Sequence, residues 1–271
     1  MTEQSARWRT AITDARSREL RIRGYNLTDL MQHSTFGAVM YLLLRGELPS
    51  ANHERMMNTL LITVCDHGIA PSEAVTRVVA ACGVPMQASV AAGLLTFGDV
   101  HGGAGQEFAR LIQAWVEDAR SQGLGLAEYA DRLVAARRKE KKRIDGYGHP
   151  LHPEGDPRVA KLRELGAQWQ VSGDHVAMAD DIERAIFRAT GRPIPLNIDG
   201  IIAALVSDMG FDWRLARAFV FISRTIGLTA HAYEEMAREP GWRVVATDDE
   251  VVYDGPAPRS LPATAAESRV R

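Results

Sequence analysis

The chain has 271 residues, 46% of them hydrophobic and 24% charged, with a formal net charge of −2; that balance belongs to a globular protein able to bury its own core and gives no reason to expect nucleic acid as a partner. The first twenty residues, MTEQSARWRTAITDARSREL, lack the apolar centre of a signal peptide, and no apolar run is long enough to cross a bilayer, so the expectation is a soluble, cytoplasmic protein with no membrane partner. The two cysteines, Cys65 and Cys82, fall in apolar stretches of helical spacing and read as buried free thiols in a reducing compartment.

Helical spacing recurs from residue 27 almost to residue 238 and strand-like alternation is nearly absent, which predicts an all-α fold without internal repeats. Ser34 before TFGAVMYLLLRG and Ser50 before ANHERMMNTLLITVCDHG read as N-caps, with Gly46 and Gly68 as the matching stops. SEAVTRVVAACG and PMQASVAAGLLTFGD are rich in Ala, Gly and Val and read as tightly packed interior helices. From Gln106 the texture changes to amphipathic segments with alternating charge, and after RPIPLNIDG the apolar character returns in IIAALVSDMG and WRLARAFVFISRTIGLTAHAYEEMA. This pattern predicts a large domain of residues 1–103 and 213–271 with a small domain, 104–212, inserted into it. The last thirty or so residues, with Pro240, Pro256, Pro258 and Pro262, read as irregular.

Chemistry concentrates at histidines in glycine-bearing segments: His67 in DHGIAPS, His101 in DVHGGAG, and His149 and His152 in GYGHPLHPEGDPR. Glycine lets a ligand approach an imidazole closely, and proline after His149 stops a helix from running through it. Taken singly, a histidine near a helix end is more often a satisfied structural residue than a catalyst. A metal site is disfavoured: there is no Cys-x2-Cys and no His-x3-His pair, and Arg143 and Arg158 stand among the histidines and would repel a cation. Arginine points instead to carboxylate or phosphate. Arg224, in the apolar FISRTIG, needs an anion, either a protein carboxylate or a substrate. Asp199, opening the apolar run of NIDGIIAAL, reads either as a helix cap or as a carboxylate base facing a dry cleft.

The ordered set LLRGELPS, DHG, GLLTFGDVHGGA, GYGHP…DPR, NIDG and ISRTIGLTAH resembles the citrate synthase superfamily over about residues 20 to 255. DHGIAPS, GLLTFGD and NIDGIIAAL are most similar to the branch of citryl-CoA lyase and the C-terminal module of ATP-citrate lyase. The resemblance implies that His101 donates a hydrogen bond to a thioester carbonyl, that His149 handles the proton on the oxygen of a four-carbon keto acid, and that Asp199 is the carbon base. It further implies that His67, Arg158 and Arg224 bind substrate carboxylates. Coenzyme A, as an acyl-CoA substrate, is implied to lie near Gly146 and Gly148, with Arg143 and its basic neighbours drawing its phosphates. The Arg-Pro-Arg of full-length citrate synthases is replaced by WRVVATDDEVVYDGP, which leaves Arg243 or Arg259 as candidates for the third carboxylate contact.

The function implied is cleavage of citryl-CoA to acetyl-CoA and oxaloacetate through an enolate. The alternatives are a citrate or 2-methylcitrate synthase built on the same residues, and an inactive homologue that binds acyl-CoA or a dicarboxylate. The resemblance also implies a homodimer, with the helices at 73–98 at the subunit interface, and no metal.

Overall fold

In the computed structural model, which describes residues 7–15, 19–102, 104–148, 155–239, 241–243 and 245–260, eleven α-helices follow a small N-terminal meander. β1 (Thr13–Asp14), β2 (Arg21–Ile22) and β3 (Tyr25–Asn26) pair antiparallel in the order β1-β2-β3. Strands of two residues are too short to show alternation, and these lie before residue 27, where the predicted helical spacing begins. The β2–β3 turn is Arg23-Gly24, with φ of 49° and 90°, the pair of positive values that a two-residue hairpin loop requires.

Helices α1 (Leu27–His33), α2 (Phe36–Arg45) and α3 (Ala51–Thr63) come next. Ser50 caps α3 through the His53 N–H and Gly46 closes α2 in the left-handed conformation, both as predicted. The cap of α2 is Thr35, whose hydroxyl accepts from the Ala38 N–H, whereas Ser34 ends α1. Likewise α3 ends at Thr63 with Val64 as its C-cap, and Gly68 serves a later turn at φ +68°. The reason is packing: the carbonyl of Cys65 lies against Gly227, where any Cβ would overlap it, so the chain leaves the helix early to lie on a neighbour.

α4 (Pro71–Ala81) and α5 (Met86–Leu94) pack on α11 (Ala216–Arg238). Both cysteines are free; Cys82 is the exposed C-cap of α4 and Cys65 is half-buried in the loop after α3, so neither lies inside a helix as predicted. α6 (Ala104–Ser121), α7 (Leu126–Lys139), α8 (Pro157–Gln168), α9 (Asp174–Thr190) and α10 (Ile198–Asp208) form a second group. α6 buries Phe108, Ala109, Ile112, Trp115, Val116 and Ala119, one face of a 3.6-residue period. α10 is buried all round except at Asp199, the only residue of 198–207 that is not buried.

The main apolar cluster runs from Met40 to Phe219 and joins α2 and α3 to α6–α10; a separate cluster of Ala80, Val90, Leu228 and Ala232 ties α4 and α5 to α11. No helix among the described residues is long and apolar enough to cross a membrane. Residues 245–260 carry only a short 3₁₀ turn, Asp248–Glu250, and the expectation for residues 261–271 falls outside the described residues.

Candidate active site

After α5 the chain makes a tight turn in which Gly98 and His101 exchange backbone hydrogen bonds of 3.0 and 3.2 Å. Gly102 follows at φ +69°, and a Cβ there would overlap the Phe97 ring. The missing side chain lets Phe97 stack on His101, with ring centroids 5.0 Å apart and planes 9° from parallel. One face of the imidazole is thereby held by an aromatic ring. Its edge is held too, because Nε2 lies 3.1 Å from the Ser72 hydroxyl.

Ser72 donates to Glu73 Oε2 at 2.8 Å, and Glu73 Oε1 accepts from Arg224 at 2.7 Å. Arg224 also donates from Nε to the Val64 carbonyl at 2.9 Å. Ser72 and Glu73 are both fully buried, so an imidazole, a hydroxyl, a carboxylate and a guanidinium form one chain in low dielectric. Burial and the Arg224 charge lower the proton affinity of His101, opposed by Glu73 and Asp199. The charge of Asp199 therefore reaches His101. Asp199, in the first turn of α10, lies beside the start of α6, where a Cβ on Gly105 would make ordinary contact with its backbone at 3.4 Å.

Asp199 does not cap α10. Asn197 does, accepting from the Gly200 N–H at 3.0 Å, so the cap alternative for Asp199 is removed. Asn197 is also a clasp, since its side chain donates to the Gly148 carbonyl at 3.0 Å and its backbone N–H donates to the Gly146 carbonyl at 2.8 Å. Gly148 N–H donates to the Pro195 carbonyl at 2.8 Å. Gly146 and Gly148 both have positive φ, and Gly200 lies where a Cβ would be 2.6 Å from the Gly146 carbonyl. Glycine at these positions thus seats the GYG loop on the first turn of the Asp199 helix. Between them, Tyr147 donates to the Ala179 carbonyl at 2.8 Å. The catalytic candidate His149, and His152, lie outside the described residues.

The arginines differ in their surroundings. Asp156 caps α8 and accepts from Arg158 through both oxygens, at 2.6 to 3.2 Å, which fixes the guanidinium in one plane. Arg243 makes a bidentate pair with Glu235, 2.7 Å at each oxygen, and Arg77 adds a 2.8 Å contact to the same carboxylate. Glu235 is eleven residues along α11 from Arg224, about 16 Å at 1.5 Å per residue. Arg243 is therefore held apart from the His101 network. His67 is exposed, in a loop where Asp66 accepts from the Gly68 N–H at 3.1 Å and contacts His231 Nε2 at 3.0 Å. Burial alone would raise the Asp66 pKa, but these contacts outweigh it and hold it low. Arg143 lines a cavity of about 680 Å³ with Arg137, Arg138, Lys142, Tyr147 and Gly148, a basic mouth above an apolar floor.

Sequence reasoning missed Ser72, Glu73 and Asn197. A signal for Glu73 exists in the sequence, because it stands three residues before Thr76 and seven before Ala80, the buried stripe of α4, and an acidic residue on such a stripe needs a partner cation.

Solved citrate synthase-like proteins share this helical fold, and that sets the class. A citryl-CoA lyase structure from Hydrogenobacter thermophilus is 38% identical, with a TM-score of 0.88, over 96% of this chain and 100% of that one. An ATP citrate lyase from Methanothrix soehngenii, solved with citrate and coenzyme A, shares the fold at 24% identity and a TM-score of 0.77, over 93% of this chain and 42% of that one. Citrate synthase 2 of Bacillus subtilis is 26% identical over 71% of this chain and 50% of its own length. The chain belongs to the citrate synthase family: the model for "Citrate synthase, C-terminal domain" matches residues 3–54 and 50–244. It spans about half the length of the curated relatives it matches.

Proposed function

We propose that this protein is a carbon–carbon lyase that cleaves citryl-CoA to acetyl-CoA and oxaloacetate. The observation that carries the reading is the 38% identity to a citryl-CoA lyase over that protein's whole length. The placement of Asp199 near His101 supports it.

The reaction needs three services. A base must take the proton from the tertiary hydroxyl, and this reading gives that task to His149. As the carbon–carbon bond breaks, charge develops on the thioester oxygen, and a fixed donor there lowers the barrier; His101, held by Phe97 and Ser72, fills that role. Asp199 then delivers a proton to the enolate carbon. The same groups serve the reverse condensation, so direction is decided by what else the site does with the thioester.

Arg158, oriented by Asp156, is read as a carboxylate clamp, with Arg224 and His67 as further contacts. Arg243 stays in the proposal as a distal contact, although its fork is engaged by Glu235. Coenzyme A is read as lying along Gly146 and Gly148 with its phosphates toward Arg143, because the basic mouth of that cavity suits an anion and its apolar floor suits a ring or chain. We read residues 104–212 as a small domain closing on residues 1–103 and 213–271 to exclude water. A homodimer is proposed with the helices at 73–98 at its interface, extended by the exposed apolar stripe of α11 that packs beside them, where Ile226 and Tyr233 are 69% and 65% exposed and seven residues apart. A cytoplasmic location belongs to the same reading.

The test is to incubate the protein with citryl-CoA, and separately with acetyl-CoA plus oxaloacetate, following products and free thiol. Acetyl-CoA and oxaloacetate from the first mixture, with no thiol from the second, is the expected result. Thiol release from the second mixture supports a synthase, the reading favoured by a 26% identical 2-methylcitrate synthase from Shewanella oneidensis that covers 83% of this chain. Binding without turnover in either mixture supports an inactive homologue.

A further inference from the structure

The Ser72 hydroxyl stands between two groups that both want its single proton. A serine hydroxyl has one hydrogen to give and lone pairs to accept with. Glu73 Oε2 takes that hydrogen at 2.8 Å, while Oε1 takes one from Arg224 at 2.7 Å. A carboxylate facing a permanent cation at that distance is an acceptor only. With its hydrogen committed to Glu73, Ser72 can meet His101 Nε2, 3.1 Å away, only by accepting. The proton of that hydrogen bond must therefore sit on Nε2.

We propose that Glu73 is a positioning residue which, acting through Ser72, locks His101 with its proton on Nε2, so that His101 can donate from Nδ1 only as the imidazolium cation. The inference rests on the proposed role of His101 as donor to the thioester oxygen. A neutral imidazole carries one ring proton; locked on Nε2, it offers Nδ1 as a lone pair, which repels an enolate oxygen. The cation instead has two ring protons, one for Ser72 and one for the developing oxyanion, and a charged donor is the stronger of the two kinds.

The charged groups that bear on His101 are Glu73 of α4, Asp199 of α10 and Arg224 of α11. In the free site burial and Arg224 outweigh the two carboxylates and hold the His101 pKa below the usual imidazole value, so the cation is already the minority form at neutral pH and gains when negative charge develops on the thioester oxygen. Turnover is accordingly expected to fall on the alkaline side by about tenfold per pH unit once the cation is the minority form. In Glu73→Gln, the amide turns its oxygen to Arg224 and its NH₂ to Ser72. Ser72 is then free to donate to Nε2, and neutral His101 gains a proton on Nδ1.

The experiment is ¹⁵N–¹H correlation of the histidine rings in the full chain, with His101 assigned through His101→Asn. The expected result is an Nε2–H tautomer in the parent protein and an Nδ1–H tautomer in Glu73→Gln. An Nδ1–H parent, or a Glu73→Gln protein that keeps Nε2–H, overturns the proposal. Should Glu73→Gln fail to fold, Ser72→Ala must lose the single tautomer and Ser72→Thr must keep it; an unchanged Ser72→Ala spectrum also overturns the proposal. With citryl-CoA, the alkaline limb should flatten in Glu73→Gln. Absence of turnover in the parent counts against the lyase reading alone, since the tautomer is measured without it.

Discussion

The two halves of the helical layer are built on opposite plans. In α6 to α10 the buried side chains are large and apolar, Phe108, Ile112, Met178, Ile182 and Ile201 among them. In α4, α5 and α11 the apolar cluster has four buried residues, two of them alanines, and the fully buried positions of α4 are Ser72, Glu73 and Thr76. The first plan gains stability from area removed from water. The second spends part of that gain on a buried polar chain, which is stable only while each member is satisfied. The difference explains why His101 is anchored on the second group: only there are a hydroxyl and a carboxylate available at the imidazole edge.

Several substitutions can break or sharpen this contrast. The largest effect is expected for Asp199→Asn. The cap is Asn197, so folding should be retained, while loss of the carbon acid–base group should lower kcat by about 10²- to 10⁴-fold; thermal melts beside citryl-CoA kinetics check both halves. Next comes Ile182→Ala in the apolar group. Ile182 is fully buried, and the transfer and cavity terms together should cost about 2–5 kcal/mol in urea titration.

Gly93→Ala probes the other plan. A Cβ there would overlap Thr76 Oγ1 and approach the Ser72 carbonyl to 2.8 Å. Overpacking should cost about 1–3 kcal/mol, and because the strain falls on Ser72, kcat should drop as well, a coupling that Ile182→Ala should not show. The smallest effect is expected for Asn197→Ala, about 1 kcal/mol for the lost cap. The GYG loop also loses its bond to the Asn197 side chain, so KM for the thioester should rise more than kcat falls.

Much of the architecture was legible in the residues. Helical spacing gave the all-α class, and the predicted limits at residues 27 and 238 coincide with the start of α1 and the end of α11, because burying one face of a helix imposes a period that survives in any window. Ser50 and Gly46 were legible for the same local reason. Ser34 was misread as a cap, and the choice between cap and base at Asp199 stayed open, because a neighbour, Thr35 or Asn197, had equal chemistry one or two positions away, and only the backbone path decides which side chain turns back on the helix.

What the sequence determined by itself is the family, the helical order and the identity of the polar residues near glycine. The tertiary structure decided their partners. Arg224 needs an anion on any reading, but that the anion is Glu73, 151 residues away in the chain, follows from α4 lying against α11. The Ser72–His101 contact spans 29 residues and depends on a turn that stacks Phe97 on the ring. Local pattern is set by propensity and period, which neighbours in sequence share; charge pairing and proton placement are set by distance in space, which packing alone supplies.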